Sequence, residues 1–125
     1  MQGMQSKIVL AAALLALAGG VNAADVKRGQ KLFEECAACH THERGAQNGV
    51  GPNLFGVVGR KAGEVDEFRY SPAMKRSGIV WSEQDLDAYI ADPQAKVPAN
   101  RMPFSGMPDA RDRADLLAYL LSALK

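Results

Sequence analysis

Two cysteines and a histidine form the stretch of this chain that is best suited to chemistry. Cys36 and Cys39 are separated by two alanines, and His40 follows Cys39 directly. Cysteine sulfurs at this spacing can each add to one vinyl group of a protoporphyrin, and the adjacent imidazole can then bind the iron. The motif predicts one haem c, thioether-linked to Cys36 and Cys39, with His40 as an iron ligand.

Three other uses of a cysteine pair fit this chain less well. A redox dithiol of the thioredoxin type needs a βαβ setting, and no such pattern is visible. A zinc site with four ligands needs a second pair, for which only His42 remains. We expect His42 to be an exposed loop residue. A disulfide is possible in an exported chain, but the spacing favours thioethers.

The first residues have the pattern of an export signal. Lys7 precedes the apolar run 8–18, and small residues at 19–23 follow. This order is typical of a cleaved signal peptide, here residues 1–23 with cleavage after Ala23. The run is shorter than the roughly 20 residues that span a bilayer, so an uncleaved anchor is the weaker alternative. We expect a periplasmic protein with one domain, residues 24–125.

The charge balance argues against strongly charged partners. The chain has 15 Lys plus Arg against 14 Asp plus Glu, a formal net charge of +1. A protein without a basic excess is not expected to bind nucleic acid or an anionic membrane. We therefore predict no nucleic-acid partner and no stable membrane insertion.

Helical patterns alternate with loops rich in glycine and proline. Asp25 can cap a first helix that carries the motif, and Gly29 would let another helix approach it closely. The glycine-rich segment 45–60 predicts a wrapping loop. Leucines at three- and four-residue steps predict a last helix that begins at Asp109 or Ala110.

Two further helix starts are predicted between these elements. Ser71 followed by Pro72 is typical of a capped first turn. Ser82 with Asp85 resembles a capping box, and Pro93 should end the helix that follows. Because no stretch alternates with period two, we predict an all-α domain of helices and loops.

A second iron ligand would come from a methionine. Without the leader, the candidates are Met74, Met102 and Met107. Met102 lies in a segment bounded by proline and glycine, 98–106, which could present a thioether from a stiff loop. Methionine is more often core filler than ligand, so spacing alone favours Met102 over Met107 without deciding between them.

From Gly29 to its end the chain resembles the class I cytochromes c, in particular the mitochondrial carrier and its soluble periplasmic relatives in bacteria. Examples are Gly-Pro-Asn-Leu-Phe-Gly at 51–56 and Arg-Met-Pro-Phe-Ser-Gly at 101–106. The other matching stretches are 29–33, 36–41, 59–63, 68–70, 78–81 and 116–120. The resemblance implies a small class I cytochrome c fold, with helices and loops wrapped around one covalently attached haem.

The resemblance also assigns residues to the haem pocket. It implies that Met102 is the second iron ligand, that Met107 is structural, and that the carbonyl of Pro52 accepts the proton of the non-ligating nitrogen of His40. Phe104 is either core or a shield of the haem edge. The remaining assignments are Arg60, Tyr70 and Trp81 around the inner propionate and Tyr89 with its hydroxyl facing Met102.

An iron with both axial positions filled has none left for a substrate. We therefore predict not an enzyme but a soluble one-electron carrier, a monomer that shuttles electrons between membrane or periplasmic redox complexes. A reductase or dehydrogenase would be the donor, and an oxidase or photosynthetic complex the acceptor. The alternatives are a haem-c protein that binds ligands or catalyses a reaction, and a cytochrome subunit of a larger oxidoreductase.

The predicted docking face differs from that of the mitochondrial relatives, which carry a ring of lysines there. The corresponding positions include Gln94, Ala95, Pro108 and Asp109, which leaves Lys31, Lys96 and Arg101 as cations. We expect weaker electrostatic steering of transient partners.

Overall fold

The computed structural model describes residues 3, 11–13 and 23–125. Its helices are α1 (Val26–Ala37), α2 (Pro72–Arg76), α3 (Glu83–Ala91), α4 (Pro93–Lys96) and α5 (Ala110–Ala123). Within the described residues, β-pairing is limited to one isolated antiparallel bridge between Lys61 and Val80. The prediction of an all-α domain is confirmed.

The predicted signal peptide, 1–23, lies almost entirely outside the described residues. In the part of the chain that the structure describes, no helix has the length and apolar character needed to cross a membrane.

The predicted helix starts are confirmed by their caps. In each case a short polar side chain accepts a hydrogen bond from a backbone N–H of the first turn, which would otherwise lack a partner. The capping residues are Asp25, Ser71, Ser82 and Asp109. Only half of the capping box predicted at Ser82 is present. The carboxylate of Asp85 accepts from the Ser82 hydroxyl (3.1 Å), whereas the Ser82 backbone N–H donates to Val80 (2.7 Å).

Helix α4 was not predicted. Pro93 does end α3, but it also stands at the start of the next helix, where the carboxylate of Asp92 accepts from the N–H of Ala95 (3.2 Å). Proline suits this position because its missing N–H would have no partner in the first turn anyway. The same residue therefore stops one helix and starts another.

Helices α1 and α5 cross in close contact at Gly29. A Cβ atom on Gly29 would lie 1.9 Å from the backbone oxygen of Asp115, so no larger residue fits without separating the helices. The buried carboxylate of Asp115 accepts from the Asp25 N–H (2.8 Å) and from Arg28 (2.7 Å). Arg28 also pairs with Asp112. These contacts hold the start of α1 on α5, and α1 carries the Cys-His motif at its other end.

The core consists of two clusters. The first joins the middle of the chain: Val57, Ala62, Met74, Trp81, Leu86, Tyr89 and Val97. The second joins the two long helices and the loop before α5: Phe33, Met107, Leu116, Tyr119, Leu120 and Leu124. Leu54, Ile90 and Leu117 pack against both clusters and connect them.

Replacement of Asp115 by asparagine should destabilise the fold most clearly near neutral pH. Hydrogen bonds from the Asp25 N–H and from Arg28 lower the pKa of the Asp115 carboxyl. The stabilisation is therefore present above the pKa of the unfolded chain, about 3.9, and is lost as the pH falls through the lowered pKa. We expect Asp115→Asn to lower the Tm by several degrees at pH 7 and by less at pH 3. An equal loss at both pH values in thermal unfolding would contradict this role.

Candidate haem site

A cleft of about 440 Å³ opens between the helices and loops. Its lining includes Cys36, Cys39, His40 and Met102, and most of its surface is apolar. The structure thus brings both cysteines and the two predicted iron ligands to one cavity.

The His40 ring is oriented by the loop that follows it. The motif closes a turn in which the Cys39 and His40 N–H groups both donate to the carbonyl of Cys36 (3.1 and 2.9 Å). The His40 Nδ1 lies 2.7 Å from the carbonyl oxygen of Pro52. Because a carbonyl only accepts, Nδ1 must carry the proton, which leaves Nε2 unprotonated in the neutral ring. Burial lowers the pKa of His40 and so favours that neutral form.

Gly51 leaves room for this ring. Its N–H donates to the carbonyl of Cys39 (2.8 Å), which brings the Gly51 backbone against the imidazole. A Cβ atom at Gly51 would lie 2.5 Å from Cε1 and 2.7 Å from Nδ1 of His40. Only glycine therefore fits between this backbone and the histidine.

The two cysteines are half-buried and form no disulfide with each other. Burial, together with the charge of Glu35, raises the pKa of the Cys36 thiol to about 11. Both side chains line the cleft, where their sulfurs are available for thioether bonds.

Met102 lies in a loop that lines the cleft. The N–H of Met102 donates to the side-chain oxygen of Asn100 (2.9 Å), and the hydroxyl of Tyr89 approaches the Met102 sulfur at 3.9 Å. Burial raises the pKa of Tyr89 to about 12, so its hydroxyl keeps the proton that it can donate. Met74 also lines the cleft, whereas Met107 packs in the second core cluster.

Arg60, Tyr70, Trp81 and Phe104 all line the same cleft. Arg60 donates to the carbonyls of Asn53 (3.0 Å) and Phe55 (3.1 Å), and the Tyr70 oxygen accepts from the Val65 N–H (3.2 Å). The buried indole of Trp81 packs against Tyr89, with ring centroids 5.0 Å apart. Phe104 is half-buried and packs against the second core cluster.

The charged residues around the cleft suit a haem. Among the described residues, four cations line it, Arg60, Lys61, Arg69 and Arg101, against the single anion Glu35. A haem has an apolar ring and two carboxylates, and buried carboxylates need positive or hydrogen-bonding partners. An apolar cleft with a cationic margin and a neutral histidine therefore fits this cofactor.

Sequence reasoning was wrong about His42. Its ring is half-buried and meets Phe33 edge-on, with ring centroids 5.0 Å apart. His42 therefore packs beside the motif and is not simply an exposed loop residue. Sequence reasoning also missed Asn100, a buried side chain that hydrogen-bonds to the backbone of Met102.

Comparison with known proteins identifies the family. A family model described as Cytochrome c matches residues 26–124. The chain belongs to the cytochrome c family. It is 51% identical over 98 residues to cytochrome c2 of Rhodoblastus acidophilus, covering 78% of this chain and 92% of that protein. It is 48% identical over 100 residues to cytochrome c of Theileria annulata, covering 79% and 86% of the two proteins.

A solved structure supports the same assignment. Cytochrome cH from Methylobacterium extorquens superposes with a TM-score of 0.73 at 46% identity, covering 78% of this chain and 98% of that one. The cytochrome therefore has the class I fold and carries one haem c through Cys36 and Cys39. It is an electron-transfer protein and not an enzyme.

Replacement of Gly51 by alanine should disturb His40 without removing it. The new methyl group would push the imidazole away from Pro52 or move the loop, at a cost of about 1 to 3 kcal/mol. We expect Gly51→Ala to lower the stability of the haem-loaded cytochrome and to shift its midpoint potential. Gly45→Ala is the control, because a Cβ there meets nothing within 4 Å, although its φ of 75° is strained for alanine. A potential shifted equally by both variants, measured by redox titration, would contradict the contact with His40.

Proposed function

We propose that this cytochrome is a soluble periplasmic one-electron carrier whose haem iron is bound by His40 and Met102. The proposal is based on one observation: the side chains of His40 and Met102 line the same apolar cleft as both cysteines. When bound, the haem supplies an iron that accepts and releases one electron.

Protein groups would hold the two ligands in both oxidation states. The Pro52 carbonyl accepts from Nδ1 of His40 and so fixes the tautomer and the orientation of the ring, while burial favours its neutral form. On the methionine side, Asn100 fixes the Met102 backbone and the Tyr89 hydroxyl faces its sulfur. Ligands that move little cost little reorganisation during electron transfer. With both axial positions filled, no position remains for a substrate.

The environment of the cleft favours a high potential. Leu86, Trp81 and Tyr89 are all less than a tenth exposed and keep water from the lining. Thioether ligation and low solvent access both stabilise the reduced state of a haem, which raises its potential.

The relatives support the role of a carrier. Cytochrome c2 of Rhodoblastus acidophilus is matched over 92% of its length at 51% identity, so this chain shares nearly all of that relative's sequence. The leader proposed at 1–23 would place this cytochrome in the periplasm, where haem can be attached to exported cysteines. Its partners would be a membrane or periplasmic donor and acceptor that bind transiently.

Lys96 should contribute little to steering such partners. It was expected to be a cation of the docking face, but its amine pairs with Asp85 at 2.8 Å. Lys31 and Arg101 are exposed, and Val50 is 75% exposed and lines the cleft. Docking would therefore combine a small apolar contact with few charges, over an interface below about 1,200 Å².

Replacement of Met102 by leucine tests the proposed ligation. Leucine keeps the volume but removes the sulfur, so the ferric protein should lose its iron–sulfur charge-transfer band. The midpoint potential should fall by about 0.1 to 0.3 V, within the range that axial ligands control. The reduced variant should also bind carbon monoxide.

Met74→Leu and Met107→Leu are matched controls, because Met74 lines the same cleft and Met107 packs in the core. Both should retain the band and exclude carbon monoxide. Loss of the band in Met74→Leu, with its retention in Met102→Leu, would assign the ligand to α2 and refute the proposal.

Electron transfer should depend only weakly on salt. Because the predicted docking face lacks the ring of lysines of the mitochondrial relatives, we expect the bimolecular rate with the membrane partner to fall less than about tenfold from low to physiological ionic strength. Stopped-flow oxidation by membranes of the source organism would measure this rate. A fall by several orders of magnitude would show that charge dominates docking.

A further inference from the structure

Gln94 is bonded twice to the loop that carries Met102. It lies on α4, and its Nε2 donates to the backbone carbonyl of Asn100 (3.1 Å). Its Oε1 accepts from the backbone N–H of Ala99 (3.1 Å). The nitrogen and the oxygen of one side-chain amide thus both bind the backbone of the loop, at residues 99 and 100.

The loop needs such a restraint because Ala99 has an unfavourable backbone conformation. Its φ is 66°, in the left-handed region where the Cβ of any residue but glycine is crowded. A residue held in this region persists only when surrounding interactions maintain it. The N–H of this same residue is the group that donates to Gln94.

The restraint continues to Met102 through the side chain of Asn100. Asn100 is 8% exposed, and its Nδ2 donates to the carbonyls of Pro93 (3.0 Å) and Val97 (2.9 Å). Its Oδ1 accepts from the N–H of Met102 (2.9 Å). Gln94 holds the backbone of Asn100, and the Asn100 side chain holds the backbone of Met102.

We propose that Gln94 is a positioning residue for the sulfur of Met102. It keeps the loop 97–102 closed and thereby limits how often the sulfur leaves the iron. The inference rests on the proposed His40/Met102 ligation. Gln94 is not itself a lining residue of the cleft; it acts on Met102 through its bonds to the backbone of Ala99 and Asn100.

Imidazole is a suitable probe of loop opening. It is a small external ligand that binds the ferric haem only when the methionine has left, so its apparent affinity reports the open fraction. Loss of the two Gln94 hydrogen bonds should raise this fraction about tenfold, as expected for roughly 1.4 kcal/mol. Gln94→Ala should therefore bind imidazole about ten times more tightly than the parent haem-loaded protein. Its midpoint potential should shift as well.

Two variants make the test specific. Gln84→Ala is the matched control, because it makes the same change at an exposed position of α3; its imidazole affinity should stay within about twofold of the parent. Gln94→Glu keeps the acceptor for Ala99 but loses the donor to Asn100, so its imidazole affinity should be intermediate. In hydrogen exchange, the Ala99 amide should lose protection in Gln94→Ala and keep it in Gln94→Glu.

The outcomes separate this inference from the proposed ligation. A parent protein without the iron–sulfur band would overturn the ligation and this inference with it. If the parent has the band but Gln94→Ala binds imidazole no more tightly than Gln84→Ala, only the role of Gln94 is refuted. A lower thermal stability of Gln94→Ala with an unchanged imidazole affinity would likewise refute it, because a merely structural residue would behave in that way.

Discussion

The contact of α1 with α5 at Gly29 is the constraint on which the rest of the structure depends. A Cβ at this position would overlap the backbone of Asp115, and the Asp115 carboxylate binds Asp25 and Arg28 at the start of α1. Cys36 lies at the far end of α1 and Cys39 in the turn that follows, so this crossing determines where both cysteines stand relative to the core. Phe33 and Tyr119, with ring centroids 5.2 Å apart, extend the contact towards them.

The two proposed ligands are presented by loops and not by helices. A small protein with short helices has few rigid positions near its centre, and hydrogen bonds from loop atoms supply the missing rigidity. The carbonyl of Pro52 holds the imidazole of His40, and the side chain of Asn100 holds the backbone of Met102. In each case the partner lies no more than 12 residues from the proposed ligand along the chain, so these two restraints are local.

Local chemistry explains what could be predicted from the sequence. The caps Asp25 and Ser71 bond to backbone groups three residues away, so spacing alone indicates them. The Cys-His motif is equally local, and its position in the cleft agrees with the covalent haem that its spacing predicts. Helix α4 was not predicted because Pro93 both ends α3 and begins α4, and the pattern was interpreted only as an end.

Contacts that depend on how the loops fold could not be predicted in the same way. His42 packs against Phe33, a contact that depends on how the chain turns after α1. Lys96 is neutralised by Asp85 from the start of the preceding helix. No sequence pattern distinguishes an exposed glutamine such as Gln94. Its two hydrogen bonds to the loop are visible only in the folded chain. The resemblance supplied the assignments of Arg60, Tyr70 and Trp81, but not the carbonyls that Arg60 binds.

In the proposed site the iron is held between the imidazole of His40 and the sulfur of Met102. X-ray absorption at the iron edge of the haem-loaded protein measures its neighbours directly in both oxidation states. Ligation by His40 and Met102 predicts one sulfur beside the nitrogen neighbours, at nearly the same distance in the oxidised and the reduced protein. An iron surrounded only by nitrogen or oxygen in either state would contradict it.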